Sequence, residues 1–156
     1  SFEVWDRLYN EGDSDCEYNI LNAGSAILRK HDLDVQQIIA MTRRTMVIGG
    51  VRVPVCNCPP WLASDVGRVL TQEEPAPGML LADTSPTKAG WDVICPRPGI
   101  VIPHFSATYY DRDGKRNFSL RSRSDGADVS AVAARYGGGG HRNASGFEAV
   151  AGWEGE

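Results

Sequence analysis

The chain begins with apolar residues at helical spacing. Residues 2–45 are predicted to be mainly helical, because three apolar stripes follow one another there at helical spacing. The last stripe has a period of about 3.6 residues and consists of Val35, Ile38, Ile39 and Thr42. Asp34 stands directly before them and is placed to cap their helix, since aspartate is a preferred N-cap residue.

Strand-like runs follow this helical region. Residues 45–48 and 51–55 are rich in β-branched side chains and flank Gly49-Gly50, a pair typical of tight hairpin turns. Pro54 has no backbone N–H to donate, so we expect the second strand to lie at a sheet edge or to end there. Pro59-Pro60 then opens a predicted helix, whose apolar stripe consists of Leu62, Val66, Val69 and Leu70.

The second half of the chain predicts another hairpin after a long loop. Residues 73–99 hold many prolines and little periodicity, which predicts an excursion with one short strand at 79–81. Residues 100–110 and 117–123 predict two strands joined by a turn at 111–114. Alternation divides the later strand into two faces, with Phe118 and Leu120 on one and Ser119, Arg121 and Arg123 on the other. Two arginines are thereby placed side by side on a polar face.

A last helix and strand complete the pattern. Asp125 or Asp128 is placed to cap this helix, and the glycines at 137–140 end it. Its apolar stripe consists of Val129, Val132, Ala133 and Tyr136. Residues 147–153 are predicted to return as a strand. Helices and hairpins in this order predict an α/β fold with a mixed sheet flanked by helices.

The glycine run exceeds what the end of a helix requires. One glycine makes a good C-cap, but each further glycine costs about 0.5–1 kcal/mol relative to alanine because of its backbone entropy. We therefore expect a ligand, first of all an anion, to approach this backbone closely. The preceding helix ends electronegative, so attraction has to come from free backbone N–H groups of Gly138, Gly139 and Gly140 and from nearby cations. These cations are Arg121, Arg123, His141 and Arg142.

Charge supports a local anion site. The net charge of −4 excludes a protein coated with basic residues for long nucleic acids. Residues 112–142 nevertheless carry seven Lys/Arg and three Asp, a net charge of +4. The rest of the chain therefore carries a net charge of −8. The four cysteines are too few and irregular for a secreted disulfide framework, and no stretch approaches a membrane span. We expect a cytoplasmic location and no membrane partner.

Simpler explanations compete with a ligand site. The glycines could form a flexible linker, and alternating arginines often lie on an exposed strand face. The pair His141-Arg142 after the glycines favours function. Cys56 and Cys58 lack a second Cys or His pair at zinc-binding spacing. The acidic residues are scattered and contain no Asp-His-His group, so we predict that this chain binds without a metal or a catalytic residue of its own.

Two stretches together resemble one known family. Residues 137–147 read Gly-Gly-Gly-Gly-His-Arg-Asn-Ala-Ser-Gly-Phe, and residues 118–123 read Phe-Ser-Leu-Arg-Ser-Arg. This combination resembles the DHH-associated domain, the C-terminal lobe of the DHH phosphoesterases. That family includes RecJ-like exonucleases, oligoribonucleases, cyclic-dinucleotide hydrolases and exopolyphosphatase-like proteins. Weaker matches lie at 50–57 and 63–67.

The resemblance implies a division of labour between two lobes. An N-terminal lobe would hold the manganese ions, and residues 45–156 would form the substrate-binding domain, with residues 1–44 as helices linking the two. We expect the chain, which begins at Ser1, to be a piece of a longer hydrolase and to be inactive alone. The substrate would be a phosphorylated small molecule or a short oligonucleotide. The residues that the resemblance assigns to substrate binding are Asn57, Arg121, Ser122, Arg123, Gly138, Gly139, Gly140, His141 and Arg142.

Two other classes of protein remain open at this point. Related glycine-rich domains occur at the C-terminus of alanyl-tRNA synthetases, which makes a non-catalytic RNA-binding module the main alternative. The acidity of the chain and the histidine after the glycines favour the phosphoesterase. A third alternative is a dimerisation or regulatory domain, with a second copy of the chain as its partner.

Overall fold

A computed structural model describes residues 14–72 and 105–156, with side chains from residue 18 onward. The predicted excursion at 73–99, with its strand at 79–81, lies outside the described residues. The chain divides into two compact units, Ser1–Gln37 and Ile38–Glu156, and the border falls within the first described helix.

This first helix, α1, spans Ser14–Thr42 without interruption. The prediction that Asp34 caps a separate helix is therefore wrong. Asp34 lies inside α1, where its carboxylate pairs with the ammonium group of Lys30 four residues earlier. A carboxylate that has an i−4 lysine as partner is well accommodated within a helix.

Six strands form one mixed sheet in the order β1-β2-β3-β4-β6-β5. The strands are β1 (Arg44–Ile48), β2 (Val51–Asn57), β3 (Ser106–Arg112), β4 (Lys115–Arg121), β5 (Gly139–His141) and β6 (Ala144–Val150). Among these strands of the described residues, β2 and β3 are the one parallel pair, and the other neighbouring pairs are antiparallel. Two helices of the same unit accompany the sheet, α2 (Ala63–Gln72) and α3 (Val129–Ala134). The predicted α/β class and mixed sheet are confirmed.

Both predicted hairpins form. Gly49 and Gly50 adopt φ angles of 65° and 81°, and Asp113 and Gly114 adopt 53° and 74°. Two successive positive φ angles match the twist of the flanking strands. The expectation that the strand with Pro54 lies at a sheet edge or ends at the proline is wrong, because β2 lies between β1 and β3 and continues to Asn57. Pairing between β2 and β3 begins only at Val55, so the missing N–H of Pro54 removes no hydrogen bond from that ladder.

The pleat of β4 separates the two faces of the sheet. Phe118 and Leu120 point into the main core, together with Val129 and Val132 of α3 and with Phe147 of β6. The rings of Phe118 and Phe147 stack with their centroids 4.7 Å apart. On the opposite face, α2 packs over β2, β3 and β4, and its buried side chains are Ala63, Val66, Leu70 and Thr71.

Most of the glycine run has a structural cause, contrary to the sequence-based expectation. The amides of Gly137 and Gly138 donate to the carbonyls of Ala134 and Ala133, at 3.1 and 3.0 Å, and so close the end of α3. Neither N–H is free for an anion. A Cβ on Gly138 would lie 2.1 Å from the carbonyl oxygen of Gly146. What approaches this glycine closely is the protein's own strand β6.

The other two glycines of the run differ from each other. Gly140 has a φ of 142°, and a Cβ there would lie 2.7 Å from the carbonyl oxygen of Ala144. Gly139 has open space around the Cβ position and an ordinary φ. It is the one member of the run for which neither conformation nor packing demands glycine.

This difference predicts opposite outcomes for two alanine substitutions. Gly138→Ala should lower the free energy of unfolding by on the order of 2–4 kcal/mol, because β6 has to move away from the new methyl group. Gly139→Ala should change it by no more than about 0.5 kcal/mol. Urea denaturation of both variants measures the two values. Equal destabilisation would contradict the packing explanation.

The cap of α3 predicts an acid-dependent stability. Asp128 accepts hydrogen bonds from the hydroxyl and amide of Ser130, at 2.5 and 3.0 Å, and from the amide of Ala131, at 3.4 Å. The Ser130 hydroxyl is the largest cause that holds the pKa of Asp128 below its usual value. A lowered folded-state pKa stabilises the fold at pH values above the unfolded-state pKa, and this contribution is lost as the pH falls through the folded-state pKa.

Asp128→Asn should therefore flatten the loss of stability below about pH 5, because the amide does not titrate. Thermal unfolding at several pH values compares this variant with the parent chain. Asp125→Asn removes an exposed carboxylate from the same segment and serves as the control. An unchanged acid slope in Asp128→Asn would show that the cap does not contribute it.

Candidate anion-binding cleft

A cleft of about 640 Å³ lies between α2 and the segment that follows β4. Its charged and hydroxyl-bearing lining includes Ser64, Asp65, Arg68, Arg121, Ser122 and Arg123. Three guanidinium groups thus meet one carboxylate, and the carboxylate of Asp65 lies 4.0 Å from Arg68. A concave surface with an excess of guanidinium groups and several hydroxyl groups is suited to binding phosphate oxygens.

Arg121 is the best-defined side chain of this cleft. It is half-buried, and its guanidinium donates to the Ser64 hydroxyl at 2.8 Å and to the Leu120 carbonyl at 2.9 Å. Ser64 stands in the first turn of α2, so this contact joins the helix to the end of β4. Both partners are uncharged, which leaves the positive charge of Arg121 uncompensated by them.

A glycine in α2 makes room for this arginine. A Cβ on Gly67 would lie 2.9 Å from Cγ of Arg121 and 3.3 Å from its Cβ. The hydroxyl of Ser106 also donates to the Gly67 carbonyl, at 2.7 Å, which keeps the helix close to the sheet. Glycine within a helix costs about 1 kcal/mol relative to alanine. The aliphatic part of the Arg121 side chain lies so close to position 67 that a side chain there would collide with it, which explains why glycine is tolerated in this helix.

Ser122 and Arg123 reach the cleft by leaving the sheet. β4 ends at Arg121, so strand alternation does not place Arg123 beside it as expected. Asn143, in the turn between β5 and β6, redirects the chain instead. Its side-chain amide donates to the Ser122 hydroxyl at 2.9 Å and to the Arg123 carbonyl at 2.5 Å. Arg123 then pairs with Asp125 at 3.1 Å.

His141 lies on the same face of the sheet as Arg121. Both residues pair with Ala144, from opposite sides, so the three form one row across β5, β6 and β4. Two strand spacings put the Cα atoms of His141 and Arg121 about 10 Å apart. The His141 side chain is exposed. Gly139 lies on the same face, two residues before it.

The remaining predicted site residues lie elsewhere. Arg142 donates to the Gly126 carbonyl at 3.3 Å, near the N-terminal end of α3, and is not brought into the cleft. Asn57 pairs with Tyr109 in the register of the sheet, which places it on the core face, opposite to Arg121. The structure therefore brings together Arg121, Ser122 and Arg123, with His141 in the same row as Arg121 but two strands away.

Other basic residues of the positive segment are held by structural contacts. Arg116 is buried and binds both carboxylate oxygens of Asp111, at 2.7 and 2.8 Å, and one oxygen of Glu154, at 2.9 Å. Hydrogen bonding by Arg116 is the main cause that lowers the pKa of Asp111, and it is also the main cause that lowers the pKa of Glu154. Lys115 pairs with Glu148, and Arg135 donates to the Gly49 carbonyl. Fewer basic residues are therefore available to bind an anion than the net charge of +4 on residues 112–142 indicated.

Four further residues belong to this region, and three of them carried a partial signal in the sequence. Ser64 and Gly67 belong to the weaker match at 63–67, and Asn143 belongs to the glycine-histidine segment. Arg68 carried no signal, because its role depends on α2 packing beside the end of β4.

Within the part of the chain that the structure describes, no group of three or more His, Cys, Asp or Glu residues is arranged to hold a metal ion. Cys56 and Cys58 are buried thiols, and burial raises the pKa of Cys58 to about 11. No helix among the described residues is long and apolar enough to cross a membrane.

The contact between Arg121 and α2 predicts the effect of a helix substitution. Gly67→Ala should gain helix propensity but displace the Arg121 side chain, so the variant should be no more stable than the parent chain. For the same reason its binding of inorganic tripolyphosphate should weaken. Gly24→Ala, at a helical glycine with open space, should stabilise by about 0.5–1 kcal/mol. Calorimetry of binding and urea denaturation test both variants. Unchanged binding in Gly67→Ala would remove its positioning role.

Comparison with known proteins gives a partial structural likeness. Neither a model of a known protein family nor the sequence of a curated protein matches the chain. Among solved structures, the pGpG-specific phosphodiesterase PggH of Vibrio cholerae matches with a TM-score of 0.40 and 12% sequence identity. The match covers 79% of this chain and 34% of that one, so the chain spans about a third of its length.

Proposed function

We propose that this chain is the substrate-binding part of a phosphoesterase and holds a phosphate group of its substrate in the cleft between α2 and residues 121–124. The observation that carries the proposal is the placement of Arg121. It is fixed on Ser64 and stands in a cleft with Arg68 and Arg123. Its charge is available for an anion, whereas other basic residues nearby are held in structural contacts.

The roles of the cleft residues follow from their chemistry. Arg121 offers a planar guanidinium that can bind two phosphate oxygens at once. Ser122 adds a hydroxyl donor, and Arg123 a second charge at the rim. His141 extends the same row and would contact a neighbouring phosphate or the leaving group. Such groups act by orienting the phosphoryl group and by offsetting the charge that develops on its oxygens.

The bond-breaking chemistry is assigned to a different part of the protein. The described residues hold no metal-ligand cluster. The resemblance of the glycine-histidine segment to DHH phosphoesterases implies manganese ions in a lobe N-terminal to this chain. The proposed reaction is the hydrolysis of a phosphodiester or phosphoanhydride bond, and this chain alone should bind substrate without cleaving it.

Binding by the chain itself tests the proposal. Arg121→Ala should weaken binding of tripolyphosphate and of a 5′-phosphorylated dinucleotide by tenfold or more, since a charge-assisted contact is worth about 1.5–3 kcal/mol. Arg121→Lys should recover part of the loss, because it keeps the charge but not the two-pronged geometry. Arg112→Ala, at an exposed arginine paired with Asp113, is the matched control. Equal effects of Arg112→Ala and Arg121→Ala would reject the cleft.

In the intact parent protein, Arg121→Ala and His141→Ala should lower turnover far more than the melting temperature. Unchanged turnover in both variants would remove the proposed mechanism. Tight, strongly salt-dependent binding of long RNA by this chain, without binding of short oligonucleotides, would favour the RNA-binding module instead.

A further inference from the structure

The face of the sheet that carries Arg121 continues into a second groove, of about 510 Å³. Its floor is formed by β4 and β6, next to the end of β3. On this face it is lined by Tyr110, Asn117, Ser119, Gly146 and Glu148. The rest of its lining consists of Phe118, Phe147 and, at the end of α3, Tyr136, Gly137 and Gly138. Nothing in the anion-binding role described above uses them.

Strand register arranges this face in three parallel rows. His141, Ala144, Arg121 and Ser106 form the first row. Gly139, Gly146, Ser119 and Thr108 form the second row. Glu148, Asn117 and Tyr110 form the third. Because side chains two residues apart on a strand share a face, successive rows are separated by about 7 Å.

The second row leaves a shallow trough between the other two. Two of its four residues are glycines, and the other two, Ser119 and the buried Thr108, have small hydroxyl-bearing side chains. Gly146 and Ser119 of this row line the groove, so a ligand can lie close to the sheet backbone there.

The third row offers hydrogen-bonding groups at a fixed distance from the arginine. Asn117 and Ser119 are half-buried, and their side chains make no hydrogen bond within the described residues. The sheet register places Glu148 opposite Asn117, and Oε2 of Glu148 accepts a hydrogen bond from Lys115 at 2.5 Å. The Tyr110 ring lies at the end of the row. Convergent polar groups in a concave surface are typical of a ligand site.

We propose that this groove holds the nucleoside part of a nucleotide whose phosphate lies at Arg121. The inference rests on the proposed phosphate site and adds a substrate class to it. The phosphate occupies the first row, the ribose lies over the second row against Gly146 and Ser119, and the base reaches the third row. Inorganic polyphosphate would fill only the first row.

The third row favours guanine among the bases. The Glu148 carboxylate accepts from adjacent N–H groups on the base, and the Asn117 amide donates to a ring carbonyl oxygen. The edge of guanine presents both, with N1–H and N2–H donors next to O6, whereas the corresponding edge of adenine lacks the carbonyl oxygen. A carboxylate therefore discriminates between the two purines.

Titrations of the ¹⁵N-labelled chain followed by NMR locate each part of the ligand. Tripolyphosphate should shift amide signals of residues 121–123 and leave those of 117–119 and 146–148 in place. Guanosine monophosphate should shift both groups of signals. Glu148→Gln and Asn117→Ala should each weaken guanosine monophosphate binding about tenfold and leave tripolyphosphate binding unchanged.

Two comparisons make the result decisive. Lys115→Gln breaks the same ion pair but keeps the carboxylate, so it should retain the preference for guanosine over adenosine monophosphate that Glu148→Gln loses. If both phosphates bind but neither Glu148→Gln nor Asn117→Ala changes nucleotide affinity, the nucleoside site is refuted and the phosphate site stands. If neither tripolyphosphate nor a nucleotide binds, the phosphate site itself fails, and the nucleoside site with it.

Discussion

The two-residue alternation of β4 is the constraint on which both the core and the candidate site depend. This strand lies inside the sheet, between β3 and β6. Phe118 and Leu120 fill the core on one face, while Ser119 and Arg121 stand on the other. A slip of one residue in register would move every side chain of the strand to the wrong face. Stability of the core therefore fixes the spacing of the groups proposed to bind substrate.

The glycine run shows how packing and binding can share one segment. Gly137 and Gly138 close the end of α3 and let the chain pass against β6, so the hairpin of β5 and β6 can pair with β4. The same hairpin carries His141 onto the face of Arg121, and Asn143 at its turn fixes the chain beyond β4. The glycines act mainly by positioning these neighbours, and their amides contribute less to an anion site than their number indicated.

Two arginines of the sheet, Arg116 and Arg121, have partners of different charge. Arg116 is buried over the ring of Tyr109, with its charge met by Asp111 and Glu154, and so joins the C-terminal segment to the sheet. Arg121 is oriented by neutral groups instead. A guanidinium that is held in place by a hydroxyl and a carbonyl is preorganised for an anion without being neutralised. Two arginines five residues apart thereby serve opposite purposes.

The sequence by itself determined the hairpins and the α/β class and limited the cap of α3 to Asp125 or Asp128, because turn chemistry, capping and alternation act over a few residues. It could not show that α1 continues through Asp34, since a lysine one turn away satisfies the carboxylate. Only the tertiary structure decided that Arg68 and Ser64 join the cleft, that Asn57 and Arg142 lie away from it, and that three of the four glycines have structural causes. Those outcomes depend on contacts between distant segments, where the distance from Gly138 to Gly146 or from Gly67 to Arg121 decides what fits.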